Sequence, residues 1–407
     1  MPSERTRRRV LRSAALATGI GIAGCAESAD PGSPTTNDTV SETTAPSGTA
    51  TAGPSTGDAP DRPVTGDEAP ELAPLDDAVL GFVAEREVPA AAAAVARDGE
   101  VVHERGYGWR DTDRTEAVPP DARFRLASVT KALTNAAVRR LFDEEPLAPD
   151  TRVFPTLDLD PLPGDEPDDR LDELTVQHLL DHAGGWDQRV TFDPVFHDFA
   201  IADRMDLSGP PGPRETARYM LGQPLQFDPG ERQVYSNFGY LLLGLLVERV
   251  TGTPFPEHVR ESVLGGVDAD RLYRGASLPE NRPDYEVQYR SNGECANVMA
   301  LDRDDRVPCA DGGFHLQGTG AAGALVSTTR TLLAFADEYW ITGERRDGDG
   351  GPYVYFGSIY GTFTVLKQRA DGVDVAVLLN RRGATPTSFA AIEDEVDAAL
   401  DEVDEWP

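Results

Sequence analysis

Lysine is nearly absent from this sequence of 407 residues. Of the 38 basic side chains only Lys131 and Lys367 are lysine, and the 70 acidic side chains bring the net charge to -32. A surface of this sign repels nucleic acids and anionic membranes, so the composition excludes a role in binding polyanions. An acidic excess with arginine in place of lysine is typical of proteins from salt-loving organisms, because high salt screens the repulsion.

Long hydrophobic runs are also missing, and the uncharged stretch at residues 13–24 is shorter than the roughly 20 apolar residues that span a bilayer. It follows the sequence TRRRVLR at residues 6–12, which matches the twin-arginine export pattern, and it ends before Cys25 in the sequence IAGC. These features predict a signal peptide over residues 1–24 and a lipid on Cys25, which would hold the exported chain on the outer face of the cytoplasmic membrane. A plain signal peptide with an incidental cysteine is the alternative.

Large apolar side chains are scarce from residue 25 to residue 72, where Ser, Thr, Pro, Gly and Asp dominate. Such a segment cannot bury enough surface to offset the entropy of the chain, so we predict a disordered tether there. The folded domain is then expected to extend from residue 73 to residue 407.

Cysteine is rare as well, and after Cys25 the chain contains only Cys295 and Cys309. Two cysteines this close together in an exported chain predict a disulfide, and two free buried thiols are the alternative. The stretch around them, residues 265–320, is predicted to be irregular, and it offers too few further ligands for a metal site.

The remaining pattern places strands at both ends of the domain and helices between them. Residues 89–109 indicate a hairpin that turns at Asp98-Gly99, and residues 353–380 indicate three strands. Helices are predicted at residues 75–86, 128–142, 176–182, 238–250, 328–340 and 386–403. We therefore expect an α+β domain with one antiparallel sheet built from both chain ends, flanked by helices and containing a helical insert.

Ser128 and Lys131 form an S-x-x-K pattern at the start of a predicted helix. Residues three apart share a helix face, so the hydroxyl and the amine can meet. A serine hydroxyl needs a base to take its proton; a desolvated lysine can be that base, whereas arginine cannot lose its proton. The pattern is weak alone, but lysine in a sequence that otherwise uses arginine strengthens it. An ordinary helix start with a surface lysine is the alternative.

Two further patterns carry possible chemistry. The sequence YSN runs from Tyr235 to Asn237, just before the apolar helix. A phenol close to a cation can accept a proton, and the neighbouring amide can orient a lysine or hold a substrate amide. The sequence YFGS runs from Tyr355 to Ser358 on a predicted strand, where Gly357 would let a substrate backbone approach closely.

In this order and with these separations, the three patterns resemble those of the serine β-lactamase and penicillin-binding-protein superfamily. They are most similar to its branch of class C β-lactamases, D-alanyl peptidases and related esterases. The stretches at residues 124–128, 174–185 and 323–328 are similar to that branch too. The resemblance covers about residues 73–400 and implies the β-lactamase/transpeptidase-like fold.

The resemblance also implies catalytic roles. Ser128 would attack a carbonyl carbon and form an acyl-enzyme, while Lys131 and Tyr235 would move its proton, and Tyr235 would help activate water for deacylation. The backbone N–H groups of Ser128 and Ser358 would form the oxyanion hole, in which each donor contributes about 3 kcal/mol to transition-state stabilisation. No cofactor is implied.

The substrate-binding residues that the resemblance implies are Asn237, Tyr355, Gly357 and Ser358, and one of them departs from the family. The family has lysine or histidine at the position of Tyr355, where a cation helps hold a substrate carboxylate. A neutral phenol can only donate a hydrogen bond. The departure therefore favours ester or uncharged amide substrates over β-lactams and D-alanyl carboxylates.

We interpret the chain as an exported serine hydrolase that cleaves an ester, amide or β-lactam bond of a small molecule or short peptide. A catalytically silent binding or sensor domain that keeps the fold is the alternative, and Tyr355 is the feature in its favour. His178 and His182 have the i, i+4 spacing of a metal pair. A general-base glutamate between them and a third ligand are missing, so zinc is not expected.

Overall fold

The computed structural model describes residues 62–144, 146–267, 269–346, 350–385 and 388–407. Cys25, the predicted signal peptide and most of the predicted tether lie outside the described residues. Within the described part, no helix combines the length and the apolar character needed to cross a membrane.

The strands fall mostly at the two ends of the domain. They are β1 Val64–Thr65, β2 Ala90–Arg97, β3 Glu100–Gly108, β4 Phe124–Arg125, β5 Tyr273–Arg274, β6 Glu294–Asn297, β7 Asp302–Pro308, β8 Leu325–Ser327, β9 Tyr353–Ile359, β10 Thr362–Gln368 and β11 Val373–Leu379. Six of them form one antiparallel sheet in the order β1-β3-β2-β11-β10-β9. The expected sheet from both chain ends is therefore confirmed. Two smaller sheets, β4-β8-β5 and β6-β7, accompany it.

The helices lie mainly between the two groups of sheet strands. They are α1 Ala73–Glu85, α2 Thr130–Asp143, α3 Val153–Leu157, α4 Val176–Leu180, α5 Asp198–Met205, α6 Pro213–Leu221, α7 Asn237–Thr251, α8 Phe255–His258, α9 Thr329–Glu338 and α10 Ala391–Asp401. The segment α2–α8 is the expected helical insert. The α+β class and the β-lactamase/transpeptidase-like arrangement, an antiparallel sheet flanked by helices, are thus confirmed.

The central strand β2 shows why the sheet is covered on both faces. Its alternate residues from Ala90 to Ala96 pack into one core with α2, α7 and α9, and the residues between them pack into a second core with α1 and α10. Successive side chains of a strand point to opposite faces. A strand made almost entirely of alanine therefore lets helices approach closely on either side.

The folded part starts earlier than the predicted boundary at residue 73. Val64 and Thr65 pair with Tyr107 and Gly106 at the edge of the sheet, and Leu72 is fully buried in the second core. The stretch at residues 265–320, predicted as irregular, likewise contains β5, β6 and β7. These short strands carry few apolar residues and are defined by pairing with distant segments, so composition does not reveal them.

Candidate active site

Ser128 lies in a 3-10 turn, Ala127–Val129, that leads directly into α2. Ala127 has a φ of 47°, a left-handed conformation that non-glycine residues adopt at some cost. Ser128 itself is half-buried, so its hydroxyl lies at the boundary between the core and the solvent. The helix that was predicted to start at Ser128 begins two residues later, at Thr130. The turn holds Ser128 directly before the first residues of this helix.

The strand β9 runs beside this turn, and Gly357 is the residue that permits the approach. A Cβ atom added to Gly357 would lie 2.3 Å from the backbone oxygen of Leu126 and 3.2 Å from the backbone nitrogen of Ser128. Any larger residue would push the strand away. Ser358, the next residue, alternates in direction with Gly357, so its side chain faces the other side of the sheet.

Lys131 is fully buried one turn after Ser128. Its Nζ donates hydrogen bonds to Ser128 Oγ at 3.2 Å, to Asn237 Oδ1 at 2.8 Å and to the backbone oxygen of Ala322 at 2.6 Å. Three acceptors match the three N–H groups of an ammonium. The buried amine is thus fully hydrogen-bonded, and one of its partners is the candidate nucleophile.

Tyr235 reaches the same hydroxyl from the N-terminal end of α7. Its OH lies 2.8 Å from Ser128 Oγ, and Lys131 Nζ lies 4.9 Å from the centre of its ring. Ser236 caps the helix by accepting a hydrogen bond from the backbone N–H of Gly239 at 3.1 Å. This cap fixes the chain where Tyr235 leaves it, so Tyr235 and Lys131 converge on Ser128.

Tyr355 contacts this group from β9. Burial, followed by the neighbouring phenols Tyr235 and Tyr240 and a hydrogen bond with Tyr235, raises the pKa of Tyr355 well above its usual range. The phenol therefore stays neutral and can donate to Tyr235. It lies where the family resemblance places a cation.

Asn237 is engaged at both ends of its amide. Oδ1 accepts from Lys131, and Nδ2 donates to Asp193 Oδ2 at 2.6 Å. Asp193 also accepts from the backbone N–H of Val195 through Oδ1 at 3.2 Å, at the start of the 3-10 turn Pro194–Phe196. Asp193 was not predicted as a site residue, because an Asp-Pro dipeptide indicates only a turn or a cap.

The two histidines that suggested a metal pair have separate structural contacts. His178 Nδ1 accepts from the backbone N–H of Thr175 at 3.3 Å. His182 Nδ1 accepts from the N–H of Ser236 at 3.1 Å, and its ring stacks on Tyr235 with 4.7 Å between centroids. Burial, and then the charge of Lys131, lowers the pKa of His182 to about 3, so this ring is neutral.

The two cysteines of the domain form a disulfide between Cys295 of β6 and Cys309, directly after β7, with 4.9 Å between their Cα atoms. Phe314, a few residues later, belongs to a small cluster with Ala127 and Ile359. The disulfide thus closes the hairpin next to a segment that packs against the turn carrying Ser128.

A family model described as Beta-lactamase matches residues 75–354, which is more than half of the chain. The chain belongs to the beta-lactamase family. The matched range contains Ser128, Lys131 and Tyr235 and stops immediately before Tyr355. The resemblance stated from the motifs is therefore confirmed, and the residue that departs from the family lies just past the matched range.

Two curated proteins are similar to parts of the chain. Esterase EstB of Burkholderia gladioli is 35% identical over 193 residues, 46% of this chain and 47% of that protein. Probable fimbrial assembly protein FimD, serogroup H1, of Dichelobacter nodosus is 36% identical over 149 residues, 36% of this chain and 34% of that protein. The chain thus spans about a third to a half of the length of these curated relatives.

Among solved structures, the D-amino acid amidase of Ochrobactrum anthropi SV3, complexed with L-phenylalanine amide, aligns with a TM-score of 0.58 at 19% identity. The alignment covers 81% of this chain and 99% of the amidase. At this level of identity the likeness concerns the fold alone.

Proposed function

We propose that this beta-lactamase-family protein is a serine hydrolase that forms an acyl-enzyme on Ser128. The observation that carries the proposal is the convergence of two proton-transfer groups on one half-buried hydroxyl. Lys131 Nζ lies 3.2 Å and the Tyr235 OH 2.8 Å from Ser128 Oγ. A nucleophile needs such a neighbour within hydrogen-bond reach to lose its proton as it attacks.

In the acylation step the proton of Ser128 Oγ passes to the pair formed by Tyr235 and Lys131, which in the active form holds one proton less than a phenol and an ammonium together, while Oγ bonds to the substrate carbonyl carbon. The carbonyl oxygen becomes an oxyanion, which backbone N–H groups of Ser128 and Ser358 stabilise. The carbonyl re-forms as the C–O or C–N bond to the leaving group breaks, and the leaving group takes the proton. In deacylation Tyr235 takes a proton from a water molecule as the water oxygen attacks the acyl carbon. The bond from the acyl carbon to Ser128 Oγ then breaks, the carboxylic acid leaves, and the proton returns to Ser128 Oγ.

Asn237 contributes to this site mainly by orienting Lys131. Its Oδ1 accepts from the ammonium and one Nδ2 hydrogen goes to Asp193. Since an amide nitrogen carries two hydrogens, the second remains for a substrate carbonyl. Asn237 therefore serves both the lysine and the substrate.

The proposed substrates are esters and uncharged amides of small molecules or short peptides. Tyr355 supports this preference, because its neutral phenol replaces the cation that would hold a carboxylate. A hydrogen bond to a charged donor is worth about 1.5–3 kcal/mol, against roughly 1 kcal/mol for a neutral one. We therefore expect carboxylate-bearing substrates to be hydrolysed about tenfold more slowly than esters.

The test compares hydrolysis of a p-nitrophenyl ester with hydrolysis of nitrocefin by the folded wild type and by Ser128→Ala. The expected result is ester turnover that exceeds nitrocefin turnover and disappears in Ser128→Ala. A folded wild type that binds these compounds and turns over neither would instead indicate a catalytically silent domain. Efficient nitrocefin hydrolysis would contradict the substrate preference.

A further inference from the structure

Asp193 binds the side-chain amide of Asn237, which in turn orients Lys131. Its Oδ2 accepts from Asn237 Nδ2 at 2.6 Å, and Asn237 Oδ1 accepts from Lys131 Nζ at 2.8 Å. The second carboxylate oxygen accepts from the N–H of Val195. Carboxylate, amide and ammonium thus form a line of hydrogen bonds from the turn before α5, through the start of α7, to α2.

The carboxylate determines which end of the amide faces the lysine. An amide has a donor end and an acceptor end, whereas an ionised carboxylate only accepts and an ammonium only donates. With Asp193 on one side and Lys131 on the other, Asn237 has one orientation that satisfies both. The opposite orientation would set donor against donor at the lysine and acceptor against acceptor at the carboxylate.

Asp193 also interacts with the charge of Lys131. Burial is the main cause that raises the pKa of Asp193 above its ordinary value, and the hydrogen bonds from Asn237 and Val195 and the positive charge of Lys131 oppose that rise. Titratable side chains that the structure places close to Lys131 include Tyr235, Tyr240, His182 and Asp193. His182 is neutral and burial keeps Tyr240 protonated, whereas both oxygens of Asp193 accept from N–H groups, so Asp193 places a negative charge close to Lys131.

We propose that Asp193 is a positioning residue of the hydrolase, whose carboxylate fixes the Asn237 amide and balances the Lys131 charge during proton transfer. This inference rests on the proposed function. A residue that acts in this way should change the pH dependence of hydrolysis as well as its rate.

The test is the pH profile of kcat/KM for ester hydrolysis by Asp193→Asn and Asp193→Ala. Removing a negative charge eases the loss of a proton from Lys131 and from Tyr235 alike. The acidic limb of both variants should therefore move to lower pH by about half a unit or more. Asp193→Ala, which also frees the amide, should lose on the order of 10²-fold in kcat, and Asp193→Asn, which can still accept from Asn237, should lose less.

Asp187→Asn is the matched control. Asp187 is a buried aspartate of the same segment, and its carboxylate binds Arg189 and lies 4.0 Å from Arg232. This variant removes the same charge from the same stretch of chain but should leave the acidic limb in place. Acid unfolding of a destabilised variant would move its acidic limb to higher pH, which is opposite to the predicted shift, so a loss of stability does not imitate the effect.

The outcomes separate the inference from the proposed function. If the wild type is active and the limb of Asp193→Asn coincides with that of the wild type, the positioning role is overturned while the hydrolase remains. An equal shift of the acidic limb in Asp187→Asn would also overturn the positioning role, because the shift would then follow from the loss of any nearby negative charge. A folded wild type without hydrolysis would contradict the proposed function, and the inference with it.

Discussion

Lys131 and Lys367 differ in whether an arginine could take the place of the lysine. Lys131 is fully buried, and its ammonium donates to oxygens of Ser128, Asn237 and Ala322. A guanidinium is larger and planar, and it does not lose its proton in proteins. Lys367 contacts two carboxylates, Glu393 and Asp397, where an arginine could serve as well.

Replacing Lys131 by arginine should therefore reduce kcat/KM for ester hydrolysis by on the order of 10²–10⁴-fold, although the positive charge is kept. Lys367→Arg is the matched control and should keep activity within a few-fold of the wild type. Steady-state kinetics on folded proteins, checked by circular dichroism, give the comparison. A Lys131→Arg enzyme within a few-fold of the wild type would show that the lysine acts only through its charge.

Tyr355 is the residue that should control the choice between esters and carboxylates. Tyr355→His and Tyr355→Lys place a group that can carry positive charge beside Tyr235. We expect the ratio of nitrocefin to p-nitrophenyl ester turnover to rise about tenfold or more. Tyr353→His, two residues earlier on β9, is the control, since Tyr353 packs edge-on against Trp340 and should leave the ratio unchanged.

A ratio that stays constant in both Tyr355 variants would contradict a role for this position in substrate choice. The same measurement at pH 5.5 and pH 8 adds a test for Tyr355→His. Histidine carries a charge mainly below its ordinary pKa of about 6.5, so the ratio should rise as the pH falls. The ratio for Tyr355→Lys should change little over that range.

Most of the candidate site could be predicted from single residues, because local motifs carry it. Ser128, Lys131, Tyr235 and Tyr355 each stand in a short pattern, and the structure brings the four together. Asp193 lies 44 residues from the amide that it holds, and His182 lies 54 residues from Ser236. Neither contact leaves a signal in the local sequence, since both depend on how the helical insert packs.

At the scale of elements, the approach of β9 to the turn before α2 creates the site. The added Cβ at Gly357 would lie 2.3 Å from a backbone oxygen, a distance that no flexible side chain can relieve by moving. Either the strand or the turn must shift. Tyr355 and the backbone of Ser358 belong to that strand and would move with it.

Gly357→Ala should accordingly lower kcat/KM by at least about tenfold, because a displacement of reacting groups by a fraction of an ångström is costly. Gly81→Ala is the control in α1, where an added Cβ meets no atom within 4 Å. Alanine there should leave activity unchanged and raise the free energy of unfolding by about 0.5–1 kcal/mol. Wild-type activity in Gly357→Ala would show that the close approach is not needed.

The main helices and strands were predictable because apolar periodicity and turn residues mark them. The start of α2 was not, since the 3-10 turn at Ala127–Val129 depends on a left-handed Ala127 that tertiary contacts must hold. The hairpin of β6 and β7 was missed as well. The strand β7 reads DRDDRVP and is largely exposed, so it lacks the alternation that marks a half-buried strand.

At the scale of the whole molecule, burial of polar groups on both faces of the sheet affects stability. His103 on β3 is buried beside Tyr107, with its Nε2 3.5 Å from a carboxylate oxygen of Asp76. Burial is the main cause that lowers the pKa of His103 to about 4, Arg105 adding to it and Asp76 opposing it. The folded state therefore binds this proton less readily than the unfolded chain, whose histidine titrates near 6.5.

A depressed histidine pKa contributes stability that is present above pH 6.5 and is lost as the pH falls toward 4. The free energy of unfolding of the wild type should decrease as the pH falls over that window, and the free energy of unfolding of His103→Gln should decrease less steeply. Urea unfolding at pH 7 and pH 4.5 measures both slopes. Equal slopes would show that His103 is not held in its neutral form by the fold.

Mass spectrometry after labelling with a fluorophosphonate shows whether Ser128 is the nucleophile. The reagent forms a covalent phosphonyl ester with an activated serine and releases fluoride. We expect one adduct, on the peptide that contains Ser128, and none in Ser128→Ala. An adduct on another serine of the wild type, or label retained in folded Ser128→Ala, would contradict it.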